Sequence, residues 1–277
     1  MRGRLICLFL VILIGGAVSA HALEINGELT QGGLVTGRVD PGTKVMVGKR
    51  QLRVSPEGVF LLGFGRDAPA KISLRILHPS GVQENKPLHI KSRTWKISKV
   101  DGLPGRKVTP KPDDLRRIRA DGAKIKKVRR LGTEAPHFLS GFQWPVTGRI
   151  SGVFGSQRIL NGQPRRPHVG IDIAAPLGTP VLAIADGVIA LVLQDMFFTG
   201  KTLMIDHGHG LASVYAHMDK ILVKEGATVT KGTVIGLVGK TGRATGPHLH
   251  WGISLFATHL DPELVAGEMP KDKRGKK

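Results

Sequence analysis

Short runs of alternating aliphatic and β-branched residues, each stopped by glycine or proline, recur along most of this chain and confine it to a turn-rich β architecture. Leu34 to Val39, Lys44 to Val47, Gln51 to Val54 and Lys71 to Ile76 keep the period of two that a half-buried strand requires. Pro180 to Ile184, Gly187 to Val192, Thr202 to Ile205, Leu211 to Met218 and Thr233 to Val238 repeat the pattern later, between Gly-rich turns. With Gly 37 and Pro 17 in 277 residues, little room is left for long helices. Aromatic residues are only 5%, so aliphatic side chains must fill the cores.

The fold expected is mainly β. Residues 23–98 read as a small amino-terminal β-sandwich, 99–136 as a short basic helical linker, and 137–266 as an antiparallel β-sheet domain with a groove. Residues 267–277 read as a basic disordered tail. Between Lys99 and Arg130 the linker holds 12 Lys and Arg against four Asp. Pro112-Asp113-Asp114 puts proline and acids where a helix begins. Leu115, Ile118, Ile125 and Val128 keep helical spacing, and Gly122 is expected to break the helix or split it in two. The plain expectation for this segment is a solvated connector; the sharper one is an electrostatic contact with a wall polymer or membrane.

Residues 1–22 have the features of a cleavable export signal. Arg2 and Arg4 precede the apolar run Leu5 to Ile14, and Ala20-His21-Ala22 is a small-x-small cleavage site. The one cysteine, Cys7, lies inside this leader, so the mature chain offers neither a disulfide nor a thiolate ligand. Export to a periplasm or cell envelope follows. The formal charge of +20 asks for a polyanionic neighbour. Outside the cytoplasm that means wall polymer or an anionic envelope surface met by the linker, not nucleic acid.

Two motifs carry the chemistry. His168 and Asp172 are four apart, and His248 and His250 are two apart; on extended segments both spacings put the pair on one face. His168, Asp172 and one histidine of the second pair make two imidazoles and a carboxylate. That set suits a catalytic zinc, with the fourth position left to water. His217 ends the run Ser213-Val214-Tyr215-Ala216-His217, which alternation predicts to place Ser213, Tyr215 and His217 on one face. No glutamate accompanies the metal motifs, so proton transfer falls to histidine. His207-Gly208-His209 is a second His-x-His pair, expected at a hairpin tip with exposed imidazoles and no metal.

In combination and order, His168-x-x-x-Asp172, Tyr215-Ala216-His217 and Gly246-Pro247-His248-Leu249-His250 resemble the lysostaphin-type or LytM-type (M23) zinc metalloendopeptidases, which are peptidoglycan hydrolases. The resemblance spans roughly residues 142–263. It implies one zinc per chain held by His168, Asp172 and His250, with His217 and His248 as catalytic residues, and peptidoglycan as the partner. Arg158 resembles a motif arginine whose role the residues alone do not supply. The rival readings are a catalytically weak wall-binding module or regulator of other hydrolases, and a zinc carrier using His207 and His209. A further expectation is that residues 24–98 and the linker cover the groove of the free protein. The sequence does not name regulatory partner proteins.

Overall fold

The structure, a computed structural model, describes residues 23–270. The expected leader and residues 271–277 of the expected tail lie outside the described residues. No helix among the described residues is long and apolar enough to cross a membrane.

The chain is mainly β, as its punctuation requires. The amino-terminal unit comprises β1 (Glu24–Gly27), β2 (Leu34–Arg38), β3 (Lys44–Val47), β4 (Arg50–Gln51), β5 (Val59–Gly63), β6 (Lys71–Leu77) and β7 (Gln83–His89). They form two sheets, ordered β1-β2-β5 and β4-β3-β6-β7. Val35, Phe60 and Leu62 from one sheet meet Val45, Leu74 and Ile76 from the other in a closed apolar layer. Leu34, Val59 and Leu61 point the opposite way and join the core of the carboxy-terminal unit. Both faces of the first sheet are thus covered. Arg93 Nη1 adds a 2.7 Å ion pair to buried Asp261 across the same contact.

The linker departs from its expected form. It opens with β8 (Ile97–Val100), followed by the one-turn helix α1 (Gly105–Val108) and the longer α2 (Pro112–Val128). Helix α2 runs through Gly122 without a break; the interruption lies at Thr109 to Lys111 instead. Glycine costs only about 1 kcal/mol in a helix interior. Packing outweighs that, because Val128 and Ile125 seat against Leu191, Met204 and Val214. The break falls where proline at position 110 cannot donate a backbone hydrogen bond, and Pro112 restarts the helix at its first turn. Asp114 fixes that start, accepting from the Lys111 N–H at 3.1 Å and from Arg106 Nε at 2.8 Å.

The carboxy-terminal unit comprises β9 (Arg149–Gly152), β10 (Gln157–Leu160), β11 (Gln163–Pro164), β12 (Ile171–Ala174), β13 (Pro180–Leu182), β14 (Gly187–Met196), β15 (Gly200–Asp206) and β16 (Leu211–Met218). After them come β17 (Lys220–Ile221), β18 (Thr228–Val229), β19 (Val234–Leu237), β20 (His248–Leu255), β21 (Thr258–Leu260) and the short α3 (Pro262–Ala266). The main sheet has the order β18-β14-β15-β16-β20-β12-β9, with β21 also paired to β20. Strand β8 of the linker lies parallel to β10, registering Ile97 with Gln157. Ile171, Ile173, Leu249, Trp251 and Tyr215 turn to the core side of the main sheet. The alternate residues of β12 and β20 therefore turn to the other side, where the groove lies.

Candidate metal centre

Strand β20 is the shared middle strand of the site. Asp172 of β12 registers with His250 on one side, and Ala216 of β16 registers with His250 on the other. His168 reaches the same point from the segment just before β12. Its backbone is fixed by N–H donation to the Ser156 carbonyl at 2.9 Å and by its own carbonyl accepting from Gly155 at 2.8 Å. The candidate ligand atoms of His168, Asp172 and His250 all lie within 4.8 Å of one another. His168 Nε2 is 3.1 Å from Asp172 Oδ1 and 3.0 Å from His250 Nδ1, and His250 Nδ1 is 2.8 Å from the same Oδ1.

The protons available cannot satisfy this triangle. His168 Nδ1–H donates to the Val153 carbonyl at 3.2 Å, so a neutral His168 turns a bare lone pair at Nε2 toward the carboxylate. Burial pushes the His168 imidazole down to about 4, against the pull of Asp172, so it is neutral near pH 7. Two lone pairs thus face each other at 3.1 Å. At most one proton, on His250 Nδ1, lies among three acceptors. A cation removes that repulsion. Ligands at about 2.0–2.1 Å in a tetrahedron stand about 3.3 Å apart, close to the separations seen. The residues fit a zinc-type ion with two imidazoles and one carboxylate.

The carboxylate is held from behind. Arg158 Nη2 donates to Asp172 Oδ2 at 2.6 Å. Burial alone would raise the Asp172 pKa, but His168 and His250 outweigh it and hold the group well below the usual carboxylate range. Gly152 registers with Asp172 in β9, and a Cβ there would lie against Oδ2 and 3.0 Å from Cγ.

His217 and His248 stand beside this triangle. Their ring centroids are 4.7 Å apart, and His217 is 6.1 Å from His250. His217 Nδ1–H donates to the Thr241 carbonyl at 2.7 Å, and His248 Nδ1–H to the Gly246 carbonyl at 2.9 Å. Anchored in this way, each ring turns its Nε2 away from the backbone. Burial, with His248 and His250 nearby, pushes His217 down to about 3.

The alternation expected for β16 does not hold at its end. Ser213 and Tyr215 register with Ile253 and Trp251, the core-side residues of β20. Val214 lines the groove, and so does His217, three residues further on. His217 has φ +61°, a left-handed conformation that reverses the strand's parity and swings the imidazole to the groove side. Non-glycine residues in this region are strained, and such strain concentrates at functional sites.

The Asp206–Gly210 turn also differs from expectation. His207 and His209 are buried, at 0% and 3% exposure. The segment 133–138 covers the turn. His209 N–H donates to the Thr133 carbonyl at 2.8 Å, and a side chain at Gly208 would collide with the Ala135 carbonyl. His207 Nδ1–H donates to the Asp186 carbonyl at 2.7 Å, and Ser213 Oγ–H donates to its Nε2 at 2.8 Å. These imidazoles are structural, and no surface metal pair exists there.

Sequence reasoning missed three groove residues. His259 of β21, Arg165 and Arg243 line the same cavity as His168, His217 and His250, a space of about 740 Å³. Arg243 and His259 stand apart from the metal motifs, and Arg165, three residues before His168, belongs to no ligand spacing, so no pattern marks any of them. A larger cavity, about 930 Å³, lies between the amino-terminal unit and the Asp206–Gly210 turn and is lined by none of the five site residues.

Comparison with known proteins identifies the family. The model of peptidase family M23 matches residues 166–262. The chain is 44% identical over 112 residues to the peptidoglycan DD-endopeptidase ShyA of Vibrio cholerae, covering 39% of this chain and 26% of that protein. It is 43% identical over 126 residues to the DD-carboxypeptidase/endopeptidase Mpg of Neisseria meningitidis, covering 46% of this chain and 29% of that protein. The chain thus spans well under a third of the length of these relatives. A solved Pseudomonas aeruginosa structure assigned to peptidase M23 superposes with a TM-score of 0.67 at 30% identity, over 87% of this chain and 96% of that one. With that structure matched over nearly its whole length at 30% identity and the site within the matched segment, the chain belongs to peptidase family M23.

Proposed function

We propose that the protein is an exported zinc metalloendopeptidase that hydrolyses peptide bonds in the stem peptides or cross-bridges of peptidoglycan. The carrying observation is the convergence of His168 Nε2, Asp172 Oδ1 and His250 Nδ1 with too few protons to satisfy them. These three residues are the proposed ligands for one zinc ion. Bound zinc would lower the pKa of a water and polarise the scissile carbonyl. The peptidoglycan endopeptidase names of the relatives support the substrate.

His217 and His248 supply proton transfer. Each is anchored through Nδ1–H to a backbone carbonyl and turns its Nε2 away from it. One imidazole takes the proton of the attacking water. As an imidazolium it then has an N–H with which to donate to the developing oxyanion or to the leaving amine. The 4.7 Å spacing of the rings lets the two divide these tasks.

The free chain is proposed to be latent. Helices α1 and α2 lie over the groove: Val108, Leu115, Ile118 and Ile125 line the same cavity as His168, His217 and His250. The cover is tied to the β14–β15 loop by Asp121 Oδ2, which accepts from the Phe197 N–H at 2.8 Å, and by an Arg117–Asp195 ion pair at 2.8 Å. Leu115 remains 41% exposed, so the seat is shallow. Digestion of purified sacculi of defined chemistry, with and without chelator and with fragments identified by mass, tests the enzyme reading. Release of no peptide by zinc-loaded protein, including variants with α2 freed, would favour the binding-module reading.

A further inference from the structure

The groove has an excess of positive charge that metal binding and hydrolysis do not use. Arg129, Arg158, Arg165, Arg166 and Arg243 line the cavity, and no Asp or Glu is among its lining residues. Arg158 is committed to Asp172. Arg165 and Arg243 face no carboxylate of their own. Arg165 Nη2 donates to the Val108 carbonyl at 3.0 Å, and Arg243 Nη1 donates to the Lys107 carbonyl at 3.2 Å. Both acceptors are neutral oxygens at the end of α1, adjacent in sequence.

The Lys107 and Val108 carbonyls lack intrahelical partners and the two arginines cap them, but neutral carbonyls do not require two cations. Helix α1 is a single turn with a negligible dipole, and its Gly105 carbonyl is already satisfied by the Thr109 N–H. Like charges packed together cost stability, and Asp172, already held by Arg158, offsets this only in part. Burial, then Arg158 and Arg165, push Arg243 down to about 10. A guanidinium prefers an anionic oxygen, since its bond to a carboxylate is shorter and roughly twice as strong as one to a neutral carbonyl. The fork geometry of arginine matches a carboxylate in particular. The cluster adjoins the metal triangle, because Arg158 touches Asp172 and lies close enough to Arg243 to repel it.

We propose that Arg165 and Arg243 form a subsite for a peptide carboxylate, set beside the scissile bond, and that the Lys107 and Val108 carbonyls occupy it when α1 is docked. The subsite selects peptides carrying a free carboxylate near the cleaved bond. Filling it also displaces α1, so the same substrate group that is recognised helps to open the groove. That the carboxylate belongs to a substrate rests on the hydrolase reading above; the binding itself does not.

Two measurements test this on the full chain. In the first, chelated protein is mixed with N-acetyl-trialanine or with its carboxamide, and amide exchange at 105–109 is followed. The free acid should speed exchange there and bind about tenfold tighter than the carboxamide. Equal effects of acid and amide, no effect of the acid, or the same effect from inorganic phosphate at equal concentration would each overturn the subsite. In the second, zinc-loaded protein is given a longer peptide as acid and as amide. The ratio of the two kcat/KM values should exceed about ten and should fall toward one in Arg165→Gln/Arg243→Gln, with Arg165→Lys/Arg243→Lys between them. A ratio unchanged in the glutamine variant overturns the proposal while leaving the hydrolase reading intact. Acid-selective binding without cleavage of either peptide would instead remove the hydrolase reading alone.

Discussion

Arg158 Nη2 grips Asp172 Oδ2 at 2.6 Å, on the side of the carboxylate away from the two imidazoles, which leaves Oδ1 turned toward His168 and His250. Ligand orientation of this kind is worth about 10–100-fold in metal affinity. Arg158→Gln should lose metal affinity by that factor while unfolding at nearly the wild-type denaturant concentration. Competition against a chromophoric chelator reads it out, and an unaltered affinity would show that Asp172 needs no backing.

Gly152 occupies the strand position facing that carboxylate, where a Cβ would lie 3.0 Å from Cγ of Asp172. Gly152→Ala should push the carboxylate off its position and weaken metal binding, although alanine suits a strand no worse than glycine. A Gly152→Ala protein with full zinc content and full affinity would mean that β9 gives way at little cost.

The five site residues should separate into two classes. His168→Ala, Asp172→Ala and His250→Ala should lose bound zinc. His217→Ala and His248→Ala should retain it and lose about 10²–10⁴-fold in activity, the usual worth of general acid–base catalysis. Zinc content by atomic spectroscopy and peptide release from sacculi sort them. Should His248→Ala strip the metal while His250→Ala keeps it, the roles within that pair are exchanged.

The cover over the groove can be loosened without cutting the chain. Removing residues before 136 would also remove β8, which pairs with β10, so truncation tests two things at once. Asp121→Ala combined with Arg117→Ala breaks the ties to Phe197 and Asp195 and leaves β8 in place. Sacculus digestion should rise several-fold. Equal rates in variant and wild type would show that α2 does not limit access.

Acid should destabilise the fold through His207. Burial holds its imidazole down to about 4, from an ordinary 6.5. The unfolded chain therefore takes up the proton first. The stabilising contribution is complete above pH 6.5 and is lost progressively as the pH falls toward 4. Its full size is on the order of 3 kcal/mol. His207→Gln should be less stable near neutrality yet lose less between about pH 7.5 and about pH 5, as read by denaturant midpoints. Parallel pH profiles for the two proteins would assign the acid sensitivity to other histidines.

The sequence by itself settled the β architecture, the pairing of His168 with Asp172 and the side of the strand for His248 and His250. These are local consequences: glycine and proline stop strands, and period two sends alternate residues to one face. The same rule misplaced His217, because one left-handed residue reverses parity and alternation does not encode it. It also left His207 and His209 exposed, since the segment that buries them lies some seventy residues earlier in the chain. Only the tertiary structure set α2 over the groove and brought Arg243 and His259 into the cavity with His168. Those positions depend on which distant surfaces pack together, and that is decided by the sum of many weak contacts rather than by spacing within any one stretch.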